Sequence, residues 1–433
     1  MTNSDHSIHR PDGAKNDSVK VPRKNFMNNS LSITAEKYSA VKKLIQHKFS
    51  IHIAIKYASL EIEQKLREKI ISIKRVKKAY GSNANSFFVK TTSVDGTQKT
   101  YFLKFGRNKN IDDELKGDSY IQGTLRTPKI VLSSKSKFFG HEWILYEHVH
   151  GRLMNEVLLD IRDDKALNGF FDLERQKEAS LSSLYYRSVS FIDYKGYIES
   201  MANRLFYKRL VGNFYKEFYE RGSDNISSLF DRVMIVNNKR LPLTINQIID
   251  NIKRKYHDAE YSSNKIRSIV GHGDAHHGNI IVEGDIWFID NEYADITTPF
   301  MELAKPYYND FLGDLFFHQH ELLNEYFKII SYKDTGKEIH IEIVPLESMD
   351  KYFTITKIKL DSRKDFVNKE TEDFISLNDY LFLCHILTKN PNDYPQEIQK
   401  QFLVFAIILS LFDPFNPRSF YSFFKSLKYE SCE

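Results

Sequence analysis

Cysteine is scarce in this sequence: its 433 residues include only Cys384 and Cys432, whose spacing fits neither a metal site nor a redox motif. This scarcity excludes a disulfide-stapled scaffold and favours a reducing compartment. Long apolar runs are also missing, because the longest, Phe402–Phe412, is too short for the ~20 residues that a membrane helix needs. The N-terminal stretch lacks the apolar core of a signal peptide. We therefore expect a cytoplasmic protein with no membrane partner, in which Phe402–Phe412 belongs to a buried C-terminal helix.

Aromatic residues, in contrast, are abundant, with 32 Phe and 25 Tyr, and predict an aromatic core. The length exceeds what one hydrophobic core usually holds, which predicts two or more domains or lobes. The net charge of +5 hides an asymmetry, since residues 1–110 carry +14 and the remainder carries −9. A basic front half indicates either a nucleic-acid or membrane partner, or a lobe that binds a phosphate ligand. We favour the second interpretation.

The texture of the sequence predicts four regions. Residues 1–30 are polar and expected to be disordered. Residues 31–70 form a helical extension, since their apolar residues recur at helical spacing. Residues 71–148 contain three β-type runs, a helix with Asn110 as N-cap, and two further strands, which together predict a small antiparallel sheet with one helix. Residues 149–433 are predicted to form a mainly helical lobe, so the expected fold class is α+β with two lobes.

Within the second lobe, residues 152–268 are predicted to be helical, including one long amphipathic helix from Asp193 to Gly222. A short hairpin follows, formed by "IIV" and "IWFID" around "EGD". Helices are expected from about residue 300. A second hairpin, "EIHIEIVPL" with "YFTITKIKL", is predicted to interrupt them at about 338–360.

The segment "GHGDAHHGNIIV", residues 271–282, concentrates groups that carry chemistry. His272 and His276 are four residues apart, a spacing that suits zinc on a helix. Gly273 and Gly278 disfavour a helix here, however, and no glutamate lies between the histidines to act as a base. A loop is therefore the better prediction, with the histidines mostly structural and His272 supporting the loop backbone.

A loop with these residues suits phosphoryl transfer. Asp274 is the candidate base that orients and deprotonates an attacking hydroxyl. Asn279, five residues later, and Asp290, which ends "WFID", are the candidate oxygen ligands for Mg²⁺. Magnesium prefers carboxylate and amide oxygens to imidazole, which favours this assignment over a histidine-ligated metal.

The two segments "HGDAHHGN" and "WFIDNEYA" together resemble the Brenner-type motif of the aminoglycoside phosphotransferase and choline kinase family. The resemblance implies a protein-kinase-like fold, transfer of a γ-phosphoryl group to an alcohol, and the use of ATP (with GTP as an alternative) and Mg²⁺. Two positions depart from the family's pattern: Asn291 stands where an aromatic residue is frequent, and Glu302 begins "ELA" in place of Asp-Leu-Ala. The motif positions that match are His272, Gly273, Asp274, His276, Gly278, Asn279, Ile289, Asp290 and Glu292.

Such kinases also need a strand lysine that holds the α- and β-phosphates, and "TYFLKFG" offers Lys104. The alternative is a solvated strand lysine. Because strand side chains alternate between two faces, Leu103 and Phe105 are expected to share one face, while Lys104 points with Phe102 into the cleft.

The resemblance makes three further assignments. Glu114 in the following helix would position Lys104, although Asp112, Asp113 and Asp118 compete for that role. Gly81 and Ser82 begin the turn "GSNANS", whose backbone N–H groups would cover phosphates. Backbone groups from Glu147 to Val149, where the inter-lobe hinge belongs, would bind the adenine edge.

The predicted function is therefore phosphorylation of a hydroxyl on a small molecule of the aminoglycoside, amino-alcohol or sugar type. A cationic acceptor is expected from the charge of −9 after residue 110, with Asp295, Asp310 and Asp314 as candidate contacts. One alternative is a kinase of a protein or RNA that docks through the basic N-terminal region. Another is a non-catalytic binding module with a kinase-like fold, which the retained lysine and motif acids disfavour.

Overall fold

The computed structural model describes residues 35–76, 85–107, 110–134, 141–212, 226–313, 327–345, 350–366, 374–388 and 396–411, together with residue 419. The tail expected to be disordered, residues 1–30, lies outside them. The chain divides between Ile55 and Lys56 into two units, and the four sheets lie in the second. Helix α1 (Ala35–Leu66) begins in the first unit and ends in the second. No helix in the described ranges is long and apolar enough to cross a membrane.

An antiparallel sheet of five strands forms the N-terminal lobe, in the order β1-β2-β3-β5-β4. Helix α2 (Asn110–Ile121) connects β3 to β4. Acidic residues lie in its first turn, where their interaction with the helix dipole stabilises the helix. The prediction of a small antiparallel sheet with one helix is confirmed. The strands are β1 (Lys69–Arg75), β2 (Asn85–Thr92), β3 (Gln98–Arg107), β4 (Ile130–Ser133) and β5 (His141–Glu147).

The two faces of β3 differ, as strand alternation requires. Leu103 and Phe105 are buried on one face. Phe102, on the other face, packs against a cluster that includes Ile111 of α2 and Tyr146 of β5. Helix α2 therefore covers part of the sheet face from which Lys104 projects.

Most of the second lobe is helical, which confirms the α+β class. Residues 402–409 at its end are buried, as expected for a C-terminal core helix. The helices are α3 (Met154–Leu159), α4 (Asp164–Ser188), α5 (Tyr194–Glu199), α6 (Met201–Val211), α7 (Ile245–Glu260), α8 (Pro299–Tyr308), α9 (Asp350–Arg363), α10 (Leu377–Thr388) and α11 (Gln396–Leu409).

Short strands also lie in this lobe, so the prediction that residues 152–268 are helical throughout is wrong. The candidate catalytic loop runs from the end of β10 to the start of β11, and the expected hairpin of β11 and β12 is present. The strands are β6 (Arg152–Leu153), β7 (Ser190–Asp193), β8 (Val233–Val236), β9 (Lys239–Arg240), β10 (Lys265–Gly271), β11 (Ile280–Val282), β12 (Ile286–Phe288) and β13 (Asp295–Thr297).

The single long helix predicted from Asp193 to Gly222 is also wrong. Ser200 has an extended backbone, with ψ of 152°, and separates α5 from α6. Its side chain accepts a hydrogen bond from the N–H of Asn203 and caps α6, a role that serine favours over a helix interior. Residues 213–222 lie outside the described residues.

The predicted hairpin at 338–360 is half correct. The first eight residues of "EIHIEIVPL" form β15 (Glu338–Pro345), but its antiparallel partner is β14 (Phe327–Asp334). "YFTITKIKL" lies in helix α9, whose buried residues recur at helical spacing: Tyr352, Phe353, Ile355, Thr356, Lys359, Leu360 and Arg363. Two of these residues are cationic. Because cations are not expected on a buried face, the helical spacing could not be recognised in the sequence.

Candidate active site

Lys104 joins the two lobes through ion pairs. Its Nζ lies 2.5 Å from Oε2 of Glu114 on α2 and 2.5 Å from Oδ1 of Asp290, which follows β12. Burial alone would lower the pKa of Lys104, but Asp290 and Glu114 raise it well above its ordinary value. The lysine is therefore held as a buried cation between the lobes and is not a solvated strand lysine.

Glu114 is held by two hydrogen-bond donors besides Lys104. Its Oε1 accepts hydrogen bonds from Tyr146 Oη at 2.8 Å and from the N–H of Asn291 at 3.2 Å. The competing acids have other partners: Asp113 pairs with Arg204 at 3.3 Å, and Asp118 accepts from Asn291 Nδ2 at 3.2 Å. Among the acids of α2, Glu114 is the one that the structure places on the lysine.

Helix α2 packs unusually close to the segment that follows Asp290. A Cβ added to Gly117 would lie 1.8 Å from the carbonyl oxygen of Asn291, so only glycine permits this approach. The contact holds Glu114 next to Asp290. Asn291, a departure from the family's pattern, thus contacts α2 through both its backbone and its side chain.

The loop that carries Asp274 is fixed by its backbone. The carboxylate of Glu302, in α8, accepts hydrogen bonds from the N–H groups of His272 at 3.0 Å and Gly273 at 2.9 Å. Gly273 has φ of 75°, and its missing side chain leaves room for the carbonyl of Tyr293. Glu302 had been noted in the sequence only as the first residue of "ELA", and its carboxylate sets the start of the loop.

Both motif histidines use Nδ1 to accept hydrogen bonds from the loop backbone. His272 accepts from the N–H of Asp274 at 3.3 Å, and His276 accepts from the N–H of Gly278 at 3.0 Å. His272 is fully buried, and burial lowers its pKa, so its ring is neutral. These contacts are what a loop-supporting role requires, and they occupy a nitrogen of each ring that a zinc ion would compete for.

Asp274 and Asn279 are joined across the loop. Asn279 donates from Nδ2 to the carbonyl oxygen of Asp274 at 3.0 Å, so its amide oxygen is the atom left for a ligand. The carboxylate of Asp274 faces Lys305 Nζ at 3.1 Å and His276 Nε2 at 3.8 Å. Burial alone would raise the pKa of Asp274, but Lys305 and then His276 lower it below its ordinary value. Asp274 is therefore an ionised carboxylate.

Asp290 adopts the left-handed backbone conformation, with φ of 63° and ψ of 58°, which a non-glycine residue rarely takes. The turn brings Glu292 back toward it. Glu114, Asp290 and Glu292 can offer carboxylate oxygens within 4.8 Å of one another, and they are the group of this kind found among the described residues. Burial and the charge of Asp290 raise the pKa of Glu292 to about 7. Glu292 was recognised in the sequence as a motif position but not as a candidate ligand.

The site therefore contains four carboxylates and two lysines within the described residues. We call this set the acidic cluster: Lys104, Glu114, Asp274, Asp290, Glu292 and Lys305. Lys305 had no signal in the sequence, because nothing in "ELAKP" indicates which way its side chain points.

A second group of charges lies beneath the loop. His277 Nε2 is 2.7 Å from Glu174 Oε2, and the N–H of His277 donates to Asp310 Oδ1 at 2.7 Å. All members are at least 97% removed from solvent and pair with one another. We call the charged members the balanced cluster: Glu174, Lys177, Glu178, Asp310, Lys359 and Arg363.

The remaining predicted site residues are Gly81, Ser82, Glu147 and Val149. Gly81 and Ser82 lie outside the described residues. Glu147 ends β5, and its N–H donates to the carbonyl of Lys129 at 2.9 Å, so this N–H is engaged within the sheet. Val149 follows two residues later, half-buried, beyond the strand.

Two of the acids expected to contact a cationic acceptor are instead buried. Asp295 accepts from the N–H of Met201 at 2.8 Å. Asp310 belongs to the balanced cluster, and Asp314 lies outside the described residues. Asp295 and Asp310 are thus withdrawn as acceptor contacts, because each is engaged inside the protein.

Searches with family models and among curated proteins find no match for this chain. Solved structures do resemble it in fold. One is a thermostable mutant (N203A) of aminoglycoside phosphotransferase APH(4)-Ia, in ternary complex with AMP-PNP and hygromycin B, at 11% identity and a TM-score of 0.47, covering 82% of this chain and 98% of that one. Another is macrolide 2'-phosphotransferase MphH from Brachybacterium faecium, at 12% identity and a TM-score of 0.38, covering 81% and 97%. Aminoglycoside phosphotransferases are thus among the solved structures to which this chain is similar.

Proposed function

We propose that this protein is a phosphotransferase that moves the γ-phosphoryl group of ATP, or of GTP, to a hydroxyl of a small molecule. The observation that carries the proposal is the acidic cluster, in which Lys104 bridges Glu114 and Asp290 while Asp274 and Asn279 share one hydrogen-bonded loop. A buried lysine between two carboxylates is suited to bind phosphate oxygens, and an ionised aspartate on a fixed loop is suited to orient a hydroxyl.

In the proposed reaction, the acceptor oxygen forms a bond to the γ-phosphorus while the bond from that phosphorus to the bridging oxygen of the nucleotide breaks. The hydroxyl proton passes to the carboxylate of Asp274, which its neighbours keep ionised. Lys104 holds the phosphates of the nucleotide throughout. Glu302 holds the loop backbone so that Asp274 needs no rearrangement during transfer.

The donor set also fits Mg²⁺. The amide oxygen of Asn279 and the carboxylates of Asp290 and Glu292 would hold it, since hard oxygen ligands suit this ion. Burial and, after it, the negative charge of Asp290 raise the pKa of Glu292, and a divalent cation would offset that charge. When bound, Mg²⁺ would neutralise charge on the phosphates.

The test of the assignment is Asp274→Asn. We expect nucleotide affinity to stay nearly unchanged and kcat to fall at least about a hundredfold, the usual scale for loss of a general base. Asp250→Asn, an exposed position on α7, is the matched control and should keep full activity. The assay is nucleotide consumption over a panel of aminoglycosides, amino alcohols and sugars. Near wild-type turnover by Asp274→Asn would overturn the role of this residue.

A second test addresses the metal. Asn279→Ala should reduce Mg²⁺-dependent nucleotide binding more than His276→Ala does, because His276 supports the loop through Nδ1. Metal analysis should find no tightly held zinc. Stoichiometric zinc that is lost in His276→Ala would reverse the choice between the two interpretations of the motif.

The class of acceptor is predicted from charge alone. A cationic acceptor remains a prediction from the charge of −9 after residue 110, without Asp295 or Asp310 as contacts. Exposed charge attraction is screened over about 8–10 Å at physiological salt, so the KM of a cationic acceptor should rise with ionic strength. A neutral acceptor with a salt-independent KM would contradict the cationic class alone.

A further inference from the structure

Lys305 is a buried lysine whose ammonium lies beside the candidate base. It stands in the second turn of α8, and its side chain is only 7% exposed. Its Nζ is 3.1 Å from Asp274 Oδ1 and 4.4 Å from the centre of the Tyr293 ring. Asp274 is the ion-pair partner that the described part of the chain gives it.

The contact between these two groups is one of charge more than of an aligned hydrogen bond. Oδ1 of Asp274 is buried, and no hydrogen bond of normal geometry reaches it from the described residues. An ammonium has three N–H donors. Lys305 can therefore stay beside Oδ1 and still donate to another oxygen that enters next to Asp274.

The two lysines of the acidic cluster contact different residues of the proposed reaction site. Lys104 contacts Glu114 and Asp290, on the side proposed for the nucleotide phosphates and the metal. Lys305 contacts Asp274, on the side where the acceptor hydroxyl must lie. Because the phosphoryl group travels from the first side to the second, a cation is available at the start and at the end of its path.

We propose that Lys305 is a catalytic residue that binds the phosphoryl group as it reaches the acceptor. Its ammonium holds Oδ1 of Asp274, which leaves the other carboxylate oxygen to take the proton of the acceptor hydroxyl. An N–H of Lys305 donates to an equatorial oxygen of the transferring group, and the lysine remains protonated before and after transfer. This inference rests on the proposed function and extends it by one residue.

The simplest competing role is that Lys305 only neutralises Asp274. The two roles differ when Asp274 is already neutral. Lys305→Met, which keeps the length of the side chain without its charge, should lower kcat by about a hundredfold, the scale for removal of one preorganised donor to a developing charge. Nucleotide affinity and acceptor KM should change much less. Lys305→Arg should restore part of the loss, and Lys165→Met, an exposed lysine of α4, should be silent.

The decisive measurement is single-turnover transfer from ATP, with enzyme in excess, in the wild type, Asp274→Asn, Lys305→Met and the double variant. We expect Lys305→Met to slow the residual transfer of Asp274→Asn by about tenfold or more, as a direct contact with the phosphoryl group requires. If Lys305→Met has no effect in the Asp274→Asn background, the lysine acts only through the aspartate and the proposal fails.

Two outcomes are kept separate by the design. If the wild type phosphorylates no acceptor in the panel, the proposed function fails. If the wild type transfers phosphate and Lys305→Met is fully active, only the role of Lys305 fails. Thermal midpoints identify a variant that does not fold, and if Lys305→Met is such a variant, Lys305→Arg takes its place in the same comparison with wild type, Asp274→Asn and the double variant.

Discussion

The acidic cluster and the balanced cluster both contact the loop from Gly271 to Val282, through Asp274 and His277 respectively, and they differ in charge. The acidic cluster has four carboxylates and two lysines, whereas the balanced cluster has three acids and three bases. Burial of ions is costly unless each charge finds a partner. A buried group whose charges cancel needs no ligand. A buried group with excess negative charge is expected to bind a cation from solution.

The pKa shifts follow this difference. Burial alone would raise the pKa of Asp310, in the balanced cluster, but His277 and Lys359 lower it to about 2. In the acidic cluster, burial and Asp290 raise the pKa of Glu292 to about 7. Cations are thus plentiful around Asp310 and scarce around Glu292. The comparison separates a group of charges that fixes the loop from one that awaits a ligand.

The largest effect is expected from breaking the balanced cluster. Glu174 contacts Lys177, Lys359 and His277, so Glu174→Gln leaves the buried cluster with one positive charge that its acids no longer balance. Removing one member of a buried pair costs about 3–5 kcal/mol, and we expect a loss of this size in the free energy of unfolding by urea. Asp172→Asn, on the exposed side of the same helix, breaks the pair with Arg175 and should cost less than about 1 kcal/mol. Equal losses in the two variants would show that the cluster is not a structural centre.

A smaller but functional effect is expected at Gly117. Gly117→Ala places a methyl group against the carbonyl of Asn291 and should push α2 away from Asp290. Overpacking of this kind costs about 1–3 kcal/mol, and a displacement of Glu114 by about 1 Å can lower turnover by about a hundredfold. Gly169→Ala is the control, because a Cβ there meets nothing within 4 Å and should stabilise α4 by about 0.5–1 kcal/mol. Full activity in Gly117→Ala would mean that α2 need not touch Asn291.

A buried histidine gives the third prediction. His385 lies between Tyr308 Oη and the carbonyl of Phe402, and burial lowers its pKa to about 3. Between about pH 6.5 and pH 3 the unfolded chain binds a proton at His385 that the folded chain does not, so folding stability falls as the pH falls. The slope is about 1.4 kcal/mol per pH unit for one proton.

The measurement is urea unfolding of wild type and His385→Gln at pH 7 and pH 5. Carboxylates contribute to the pH dependence of both proteins, so the difference between their slopes isolates His385. We expect the variant to lose less stability than the wild type on acidification. Parallel pH profiles would show that burial does not keep this ring neutral.

The smallest change in stability is expected inside the acidic cluster. Asp290→Asn removes one of four acids and leaves Lys104 its pair with Glu114, and asparagine accepts the left-handed backbone of this position. We expect the free energy of unfolding to change by less than about 1 kcal/mol, the range of weakly coupled charges. Mg²⁺-dependent nucleotide binding should nevertheless be lost, as isothermal titration would show. A loss as large as that of Glu174→Gln would erase the distinction between the two clusters.

Much of this arrangement could be predicted from the sequence. The order of strands and helix in the first lobe follows from alternation and turn residues. The motif that joins Asp274, Asn279 and Asp290 is local, so its spacing carries most of the information. Lys104 and Glu114 were implied by the family resemblance, and strand alternation added only the face from which Lys104 projects.

Several of the failures share one cause, which is the burial of polar residues by partners that are distant in sequence. Lys359 and Arg363 are buried because Glu174 and Glu178 of α4 pair with them, nearly two hundred residues away. Because cations are expected to face solvent, the buried face of this helix is not visible in the sequence, and the segment was predicted to be a strand. Asp310 was predicted to contact a cationic acceptor because its buried partners are distant in sequence, and Lys305 has no sequence signal because only the folded chain places it beside Asp274.

The hydrogen bonds of Glu302 to the loop backbone have a consequence for how related sequences should vary. A Cβ on Gly271 would lie 2.4 Å from Oε2 of Glu302, so the longer acid fits only because position 271 has no side chain. An aspartate at position 302, as in the Asp-Leu-Ala form of the signature, withdraws its carboxylate by one methylene and frees that space. Positions 271 and 302 should therefore covary, with glycine accompanying glutamate and larger residues accompanying aspartate. A change at either position alone would open a gap or create a clash directly before the loop segment that carries Asp274.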